Sequence, residues 1–110
     1  MNISFTICSA NYLPYARSTG ESLLKFNPEH GFIIILLDDY PEINADDFLP
    51  LKLIHVRDLA IPGFDEMAER YTIFELSCAI KSFAAQRLFE LNGQAQNIFY
   101  FDSSAKQFIL

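Results

Sequence analysis

The stretch Phe32-Ile33-Ile34-Ile35-Leu36-Leu37, followed by Asp38-Asp39, decides the fold class of this chain. An unbroken apolar run of this kind is typical of a strand that is covered on both faces, as in parallel sheets. Helix-like and strand-like segments alternate on either side of it. The other strand candidates are Ile3 to Cys8, Leu51 to Val56 and Asn97 to Phe101. This alternation predicts an α/β fold with a mostly parallel, Rossmann-like sheet of about four strands flanked by helices.

The segment between the first two strands predicts a helix. Pro14 suits its first turn, where a missing amide proton costs nothing, and Asn27-Pro28 ends the helix after about Phe26. Gly20 falls inside this helix, where a glycine costs about 1 kcal/mol relative to alanine. We therefore expect the helix to pack closely against the sheet at Gly20.

A longer helix is predicted before the last strand. Thr72 and Glu75 form a capping-box pattern at its start, and Asn92-Gly93 provides its stop. Apolar residues recur at helical spacing between these two signals. Lys81 lies near the apolar face of this helix. Its side chain either extends to solvent, which is the default, or meets a diphosphate if the helix flanks the strand ends.

The composition restricts the classes of function. The chain has 110 residues, enough for one domain, and a formal net charge of −6. A nucleic-acid surface is not expected, because binding to phosphate backbones needs clustered Lys and Arg. The sequence contains neither a membrane span nor a signal-peptide pattern, which favours the cytosol. Cys8 and Cys78 lie in apolar surroundings without metal-ligand spacing, so both are expected to be small buried thiols.

Four segments are candidates for a ligand site, because open α/β sheets bind ligands beyond the carboxyl ends of their strands. In Ser9-Ala10-Asn11-Tyr12 the Asn11 amide can read a base edge and the Tyr12 ring can stack on the base, or else Asn11 simply caps the next helix. Asp38-Asp39 either hydrogen-bonds ribose hydroxyls or belongs to a solvated loop. The remaining two segments are Arg57-Asp58 and Asp102-Ser103-Ser104. The sequence has no glycine-rich phosphate loop and no nucleophile elbow.

The order of these features resembles a known family. The likeness is carried by ICSANYLPYARSTGESLLKFNP, FIIILLDD, RYTIFELSCAIKSFAAQRLF and NIFYFDSS. In this order they resemble the amino-terminal half of GT-A-fold glycosyltransferases, closest to the bacterial and glycogenin-like retaining group. The resemblance implies that Ala10, Asn11 and Tyr12 bind the nucleotide base, with Tyr12 as the stacking ring. It also implies that Asp38 or Asp39 lies near the nucleoside and that Lys81 faces the diphosphate and the sugar.

The metal motif of that family, Asp-X-Asp after the fourth strand, is incomplete in this chain. Asp102 matches the first acid, whereas Ser104 stands at the position of the second. Mn²⁺ or Mg²⁺ on a nucleoside diphosphate sugar prefers anionic oxygen ligands, so one carboxylate is expected to hold the ion weakly or not at all. The resemblance thus implies a truncated or degenerate nucleotide-sugar-binding half-domain over residues 1–110, with no independent sugar transfer.

Two alternatives stay open. The chain is the first part of an active nucleotide-sugar-dependent glycosyltransferase whose acceptor half follows Leu110, or it is a non-catalytic interaction module that assembles with itself. An incomplete sheet leaves an unpaired strand edge and exposed apolar surface, which promote association. We therefore expect a homo-oligomer.

Overall fold

The predicted strands are present in the computed structural model, which describes residues 2–38, 42–91, 93 and 97–100, with the side chains of residues 73 and 74 excepted. The strands are β1 (Asn2–Cys8), β2 (Gly31–Leu36), β3 (Lys52–His55) and β4 (Asn97–Tyr100). They form a four-stranded sheet in the order β3-β2-β1-β4. Each pairing between these strands is parallel, so the predicted α/β, Rossmann-like fold is confirmed.

Three helices are described: α1 (Leu13–Phe26), α2 (Phe64–Arg70) and α3 (Ile73–Leu91). Pro14 lies in the first turn of α1, and Asn27 follows its last residue, as predicted. The helix α2 was not predicted from the sequence, because only the turn at Ile61-Pro62-Gly63 was recognised there. None of the described helices is long and apolar enough to cross a membrane.

The sheet is covered on both faces. On one face, Ile3, Phe5 and Ile7 of β1 share a core with α3 residues such as Ile80 and Leu88. The opposite face forms a second core, where Cys8 and alternate β2 residues contact α1. The buried members of that core are Cys8, Leu13, Ala16, Phe32, Ile34, Leu36, Leu51 and Leu53. Because β2 contributes to both cores, its apolar run is continuous, as expected for a central parallel strand.

Gly20 marks the closest approach of α1 to the sheet. A Cβ atom at this position would lie 2.7 Å from Phe32 Cδ1 and 3.0 Å from both terminal methyl carbons of Leu51. Phe32 and Leu51 are buried, at 3% and 0% exposure. The predicted reason for a glycine inside the helix, close packing on the sheet, is therefore confirmed.

Two predictions for individual residues are wrong. Asn11 does not cap α1, because a single 3₁₀ turn at Ala10–Tyr12 separates β1 from the helix. Tyr12 immediately precedes α1, and its side chain makes no capping hydrogen bond. Cys78 is exposed rather than buried, because α3 turns Leu76 and Ile80 toward the sheet and Cys78 away from it.

Candidate functional site

The strand order places a topological switch point, where α/β sheets have their ligand crevice, between β1 and β4 at the carboxyl edge of the sheet. After β1 the chain crosses to β2 by α1 on one face, whereas it reaches β4 by α3 on the other face. The direction of winding therefore reverses at β1, which pairs with both β2 and β4. Connections that diverge at such a switch point leave room for a ligand. The loop after β1 lies at this edge, whereas the residues that follow Tyr100 are outside the described part of the chain.

The loop after β1 is tied to the end of β2. The Ala10 backbone N–H donates a hydrogen bond of 2.9 Å to Asp38 Oδ2. Beside it, the Leu37 N–H donates to the Cys8 carbonyl at 2.9 Å. Hydrogen bonds to an ionised acceptor are stronger than neutral ones. Ala10 and Asp38, both predicted site residues, are therefore brought together, and the Asp38 carboxylate helps to fix the loop.

Exposed aromatic side chains continue from this loop. Tyr12 is 40% exposed and Tyr15 is 49% exposed, and their ring centroids lie 6.2 Å apart. Asn11, between Ala10 and Tyr12, is also exposed. Aromatic faces that are open to solvent offer a stacking surface to planar groups such as nucleobases. Asn11 and Tyr12 are thus both exposed at this loop, and their contact with a nucleobase stays a prediction.

A positive charge lies over β4. The Lys81 ammonium of α3 is 5.0 Å from the centroid of the Tyr100 ring, within the range of a cation–π interaction. Tyr100 is the last residue of β4. Lys81 is exposed, but its ammonium lies on the Tyr100 ring. Tyr100 pairs with Phe5, three residues before the end of β1, so the described residues place Lys81 over the sheet and its contact with a diphosphate stays a prediction.

Arg57, from the third candidate segment Arg57-Asp58, does not lie at the switch point between β1 and β4. Arg57 follows β3, which is separated from β1 by β2. Its Nη1 donates to Asp65 Oδ1 at 3.0 Å, and its guanidinium lies 6.0 Å from the centre of the Phe64 ring. These groups line an open cavity of about 360 Å³ beside Ile61 and Gly63. The structure therefore separates Arg57 from the crevice between β1 and β4.

Cys8 is the residue of the site region with a strongly shifted pKa. Burial of the thiol, together with the negative charge of Asp38, raises its pKa from 9.0 to about 12. The neutral thiol is the form that burial favours, because a thiolate loses its hydration there. Since the thiolate is the nucleophilic form, Cys8 is unsuited to nucleophilic catalysis near neutral pH.

The predicted metal ligands fall outside the described residues. The structure does not describe Asp102 and Ser104, the predicted metal ligands, nor Asp39 of the predicted ribose contact. The roles assigned to these three residues therefore stay predictions. Within residues 2–38, 42–91, 93 and 97–100, no group of three or more His, Cys, Asp or Glu residues is arranged to hold a metal ion.

Sequence reasoning missed two residues of this region, Tyr15 and Tyr100. Tyr15 lies three positions after Tyr12, a spacing that brings side chains together on a helix, so its pairing was open to prediction. Tyr100 was assigned to an apolar strand and to the stretch that resembles the metal motif, without a contact to Lys81. Its contact with Lys81 depends on which face of β4 turns toward α3, which the short run Ile98-Phe99-Tyr100-Phe101 does not indicate.

Fold and crevice together define a doubly wound, Rossmann-like α/β domain with a candidate ligand site at its switch point. Comparison of the chain with models of protein families, with curated proteins and with solved structures gave no match. The resemblance to GT-A-fold glycosyltransferases therefore stays a prediction.

Proposed function

We propose that this chain is a nucleotide-sugar-binding domain that resembles the amino-terminal half of GT-A-fold glycosyltransferases and holds metal too weakly for sugar transfer. The observation that carries the proposal is the switch point at β1, and three groups of suitable chemistry lie on the loop after β1 and on α3. These are the loop fixed by Asp38, the exposed ring of Tyr12 and the Lys81 ammonium. They offer a stacking surface for the base and a positive charge for the phosphates of a nucleoside diphosphate.

Each group has a defined role in this proposal. Tyr12 stacks on the base, and the exposed Asn11 amide hydrogen-bonds the edge of the base. Asp38 uses one carboxylate oxygen for the Ala10 amide and offers the other to a ribose hydroxyl. Asp39 is a second candidate for the ribose. Lys81 attracts the phosphates as a flexible point charge.

The chemistry of the metal motif favours binding over catalysis. Asp102 with Ser104 supplies one anionic oxygen ligand group, whereas Mn²⁺ and Mg²⁺ sites on phosphates usually rely on more negative charge. A divalent ion that is held weakly offsets little of the charge that develops on a leaving diphosphate. The proposal therefore includes weak or lost metal binding at Asp102.

Isothermal calorimetry with UDP and with GDP, each with and without Mn²⁺, tests the proposal. We expect weak binding of at least one nucleotide, with a dissociation constant on the order of 0.1–1 mM, which corresponds to about 4–5.5 kcal/mol. Tyr12→Ala is expected to weaken this binding about tenfold, because loss of base stacking costs about 1–3 kcal/mol.

Phe26→Ala is the matched control. Phe26 is an aromatic residue at the carboxyl end of α1 and is 78% exposed, so its removal should leave nucleotide affinity unchanged. Absence of binding to both nucleotides would contradict the proposal. Micromolar binding that depends on Mn²⁺ would contradict the weak metal site and favour the alternative, the first part of an active glycosyltransferase.

The proposal also includes a cytosolic location and association into a homo-oligomer. Self-association is favoured by large apolar side chains that are exposed near β4, among them Leu91 at 60% and Phe99 at 45%. Exposed apolar surface promotes protein–protein contact. A non-catalytic interaction module is therefore retained as the second candidate function.

A further inference from the structure

The contact between Lys81 and Tyr100 joins α3 to β4. Lys81 projects from α3, and Tyr100 is the last residue of β4. The distance of 5.0 Å from Nζ to the ring centroid places the ammonium against the negative face of the ring. Among the described residues, no ion pair includes Lys81. Its charge is therefore not offset by a carboxylate among those residues.

The Tyr100 ring is itself supported by the core. It packs on Phe5 with a centroid distance of 5.2 Å and an interplanar angle of 60°. Phe5 is 1% exposed and is the direct register partner of Tyr100 in the pairing of β1 with β4. A close-packed interior resists displacement of its side chains. The ring thus provides a fixed platform for a side chain that is otherwise flexible.

We propose that Tyr100 is a positioning residue, which holds the Lys81 ammonium ready for a phosphate group of the bound nucleotide. This inference rests on the proposed function, because it concerns the phosphate part of the same site. A free lysine side chain loses rotamer freedom when it binds a ligand, and holding it beforehand reduces that loss. The ring supplies this restraint and leaves the ammonium charge intact, whereas a carboxylate partner would neutralise it.

Four variants test the inference: Tyr100→Phe, Tyr100→Leu, Lys81→Met and the double variant Tyr100→Leu/Lys81→Met. UDP affinity is measured for each, with uridine as the ligand that lacks phosphate. Tyr100→Phe keeps the ring and should bind UDP like the wild type. Tyr100→Leu should weaken UDP binding about two- to fivefold, the equivalent of a cation–π contact at an exposed site. The double variant should be no weaker than Lys81→Met alone, and uridine affinity should stay constant throughout.

A readout without ligand tests the position of the lysine directly. A methylene group above an aromatic ring experiences a ring-current shift, so the Lys81 ε-protons should resonate upfield in NMR spectra of the wild type. The shift should persist in Tyr100→Phe and disappear in Tyr100→Leu. Wild-type ε-protons at the usual lysine position would overturn the inference even if Tyr100→Leu failed to fold.

The two proposals fail in different ways. If the wild type binds neither UDP nor GDP, the proposed function fails and the inference fails with it. If UDP binds, but Tyr100→Leu weakens it equally with and without Lys81, the proposed function stands and the positioning role is overturned. Loss of UDP affinity in Tyr100→Phe would likewise overturn that role, because it would assign the effect to the hydroxyl group.

Discussion

Asp38 combines two effects at the scale of single residues. Its carboxylate accepts the Ala10 amide and so holds the loop that carries Asn11 and Tyr12. The same negative charge adds to burial in raising the pKa of Cys8 to about 12. Because the folded pKa lies above the ordinary value of 9.0, the neutral thiol contributes stability below pH 9, and this contribution is lost as pH rises toward 12. The loop anchor therefore lies beside a thiol that stays protonated at neutral pH.

Replacement of Gly20 tests the closest contact between α1 and the sheet. We expect Gly20→Ala to lower the free energy of unfolding by about 1 kcal/mol, because an overpacking cost of about 1–3 kcal/mol outweighs a helix-propensity gain of about 1 kcal/mol. The new Cβ would meet the buried ring of Phe32 at 2.7 Å. Urea unfolding monitored by circular dichroism measures the change.

Ser22→Ala is the control for this substitution, since Ser22 lies on the exposed side of the same helix. Without the steric cost, alanine there should leave stability unchanged or raise it by a few tenths of a kcal/mol, as helix propensity requires. A Gly20→Ala protein that is more stable than the wild type would contradict the prediction, because the side chains of Phe32 and Leu51 would then have moved aside at little cost.

The role of a single residue was predictable where its own backbone conformation and nearest contacts determine it. A glycine inside a helix needs a steric reason, and Gly20 has one. Asn11 was open to two interpretations, and the capping one failed because the sequence does not reveal the extra turn before α1. The Lys81–Tyr100 contact combines a helix face with a strand face, and such tertiary relations are not encoded in a short window.

The start of α3 tests the capping box at the scale of a single element. The Thr72 N–H donates to Glu75 Oε1 at 2.9 Å, and the Glu75 N–H donates to Thr72 Oγ1 at 3.2 Å, so the predicted box is present. We expect Thr72→Ala to lower the free energy of unfolding by about 1 kcal/mol, because an amide at the helix start loses its acceptor. Chemical denaturation provides the measurement.

A matched substitution in the same helix separates capping from helix propensity. Ser82 lies on the exposed face of α3, and Ser82→Ala should be neutral or slightly stabilising. Equal losses in both variants would remove the capping box as the cause. Glu75→Gln should be milder than Thr72→Ala, since glutamine also completes a capping box.

Elements with strong periodicity or strong end signals were predictable. The apolar run of β2 and the capped, amphipathic α3 belong to this group. The short helix α2 does not, because its sequence Phe-Asp-Glu-Met-Ala-Glu-Arg buries only part of two apolar side chains, Phe64 and Met67. Its position is also secured by neighbours: Arg87 of α3 donates from Nε to the Leu59 carbonyl at 2.9 Å, in the loop before α2. Sequence windows do not contain such long-range support.

At the scale of the whole molecule, the sequence predicted a parallel sheet but not its strand order. Placement of β4 beside β1 rather than beside β3 depends on the face that α3 covers. This one topological choice creates the switch point and decides which candidate segments meet. It pairs β4 with β1 and leaves Arg57 beside the edge strand β3.

Self-association is the prediction that belongs to the whole molecule. Among the described strands β4 lies at the sheet edge, and Phe99 on it is 45% exposed. We expect sedimentation velocity to show a dimer or larger species whose fraction grows with protein concentration, because exposed edges and apolar side chains favour association. Phe99→Glu should shift this equilibrium toward monomer, since association would then bury a charge. Phe26→Glu, which changes a side chain 78% exposed at the end of α1, should leave the equilibrium unchanged. A wild type that remains monomeric at high concentration would refute self-association, and equal effects of the two variants would refute the role of the β4 edge.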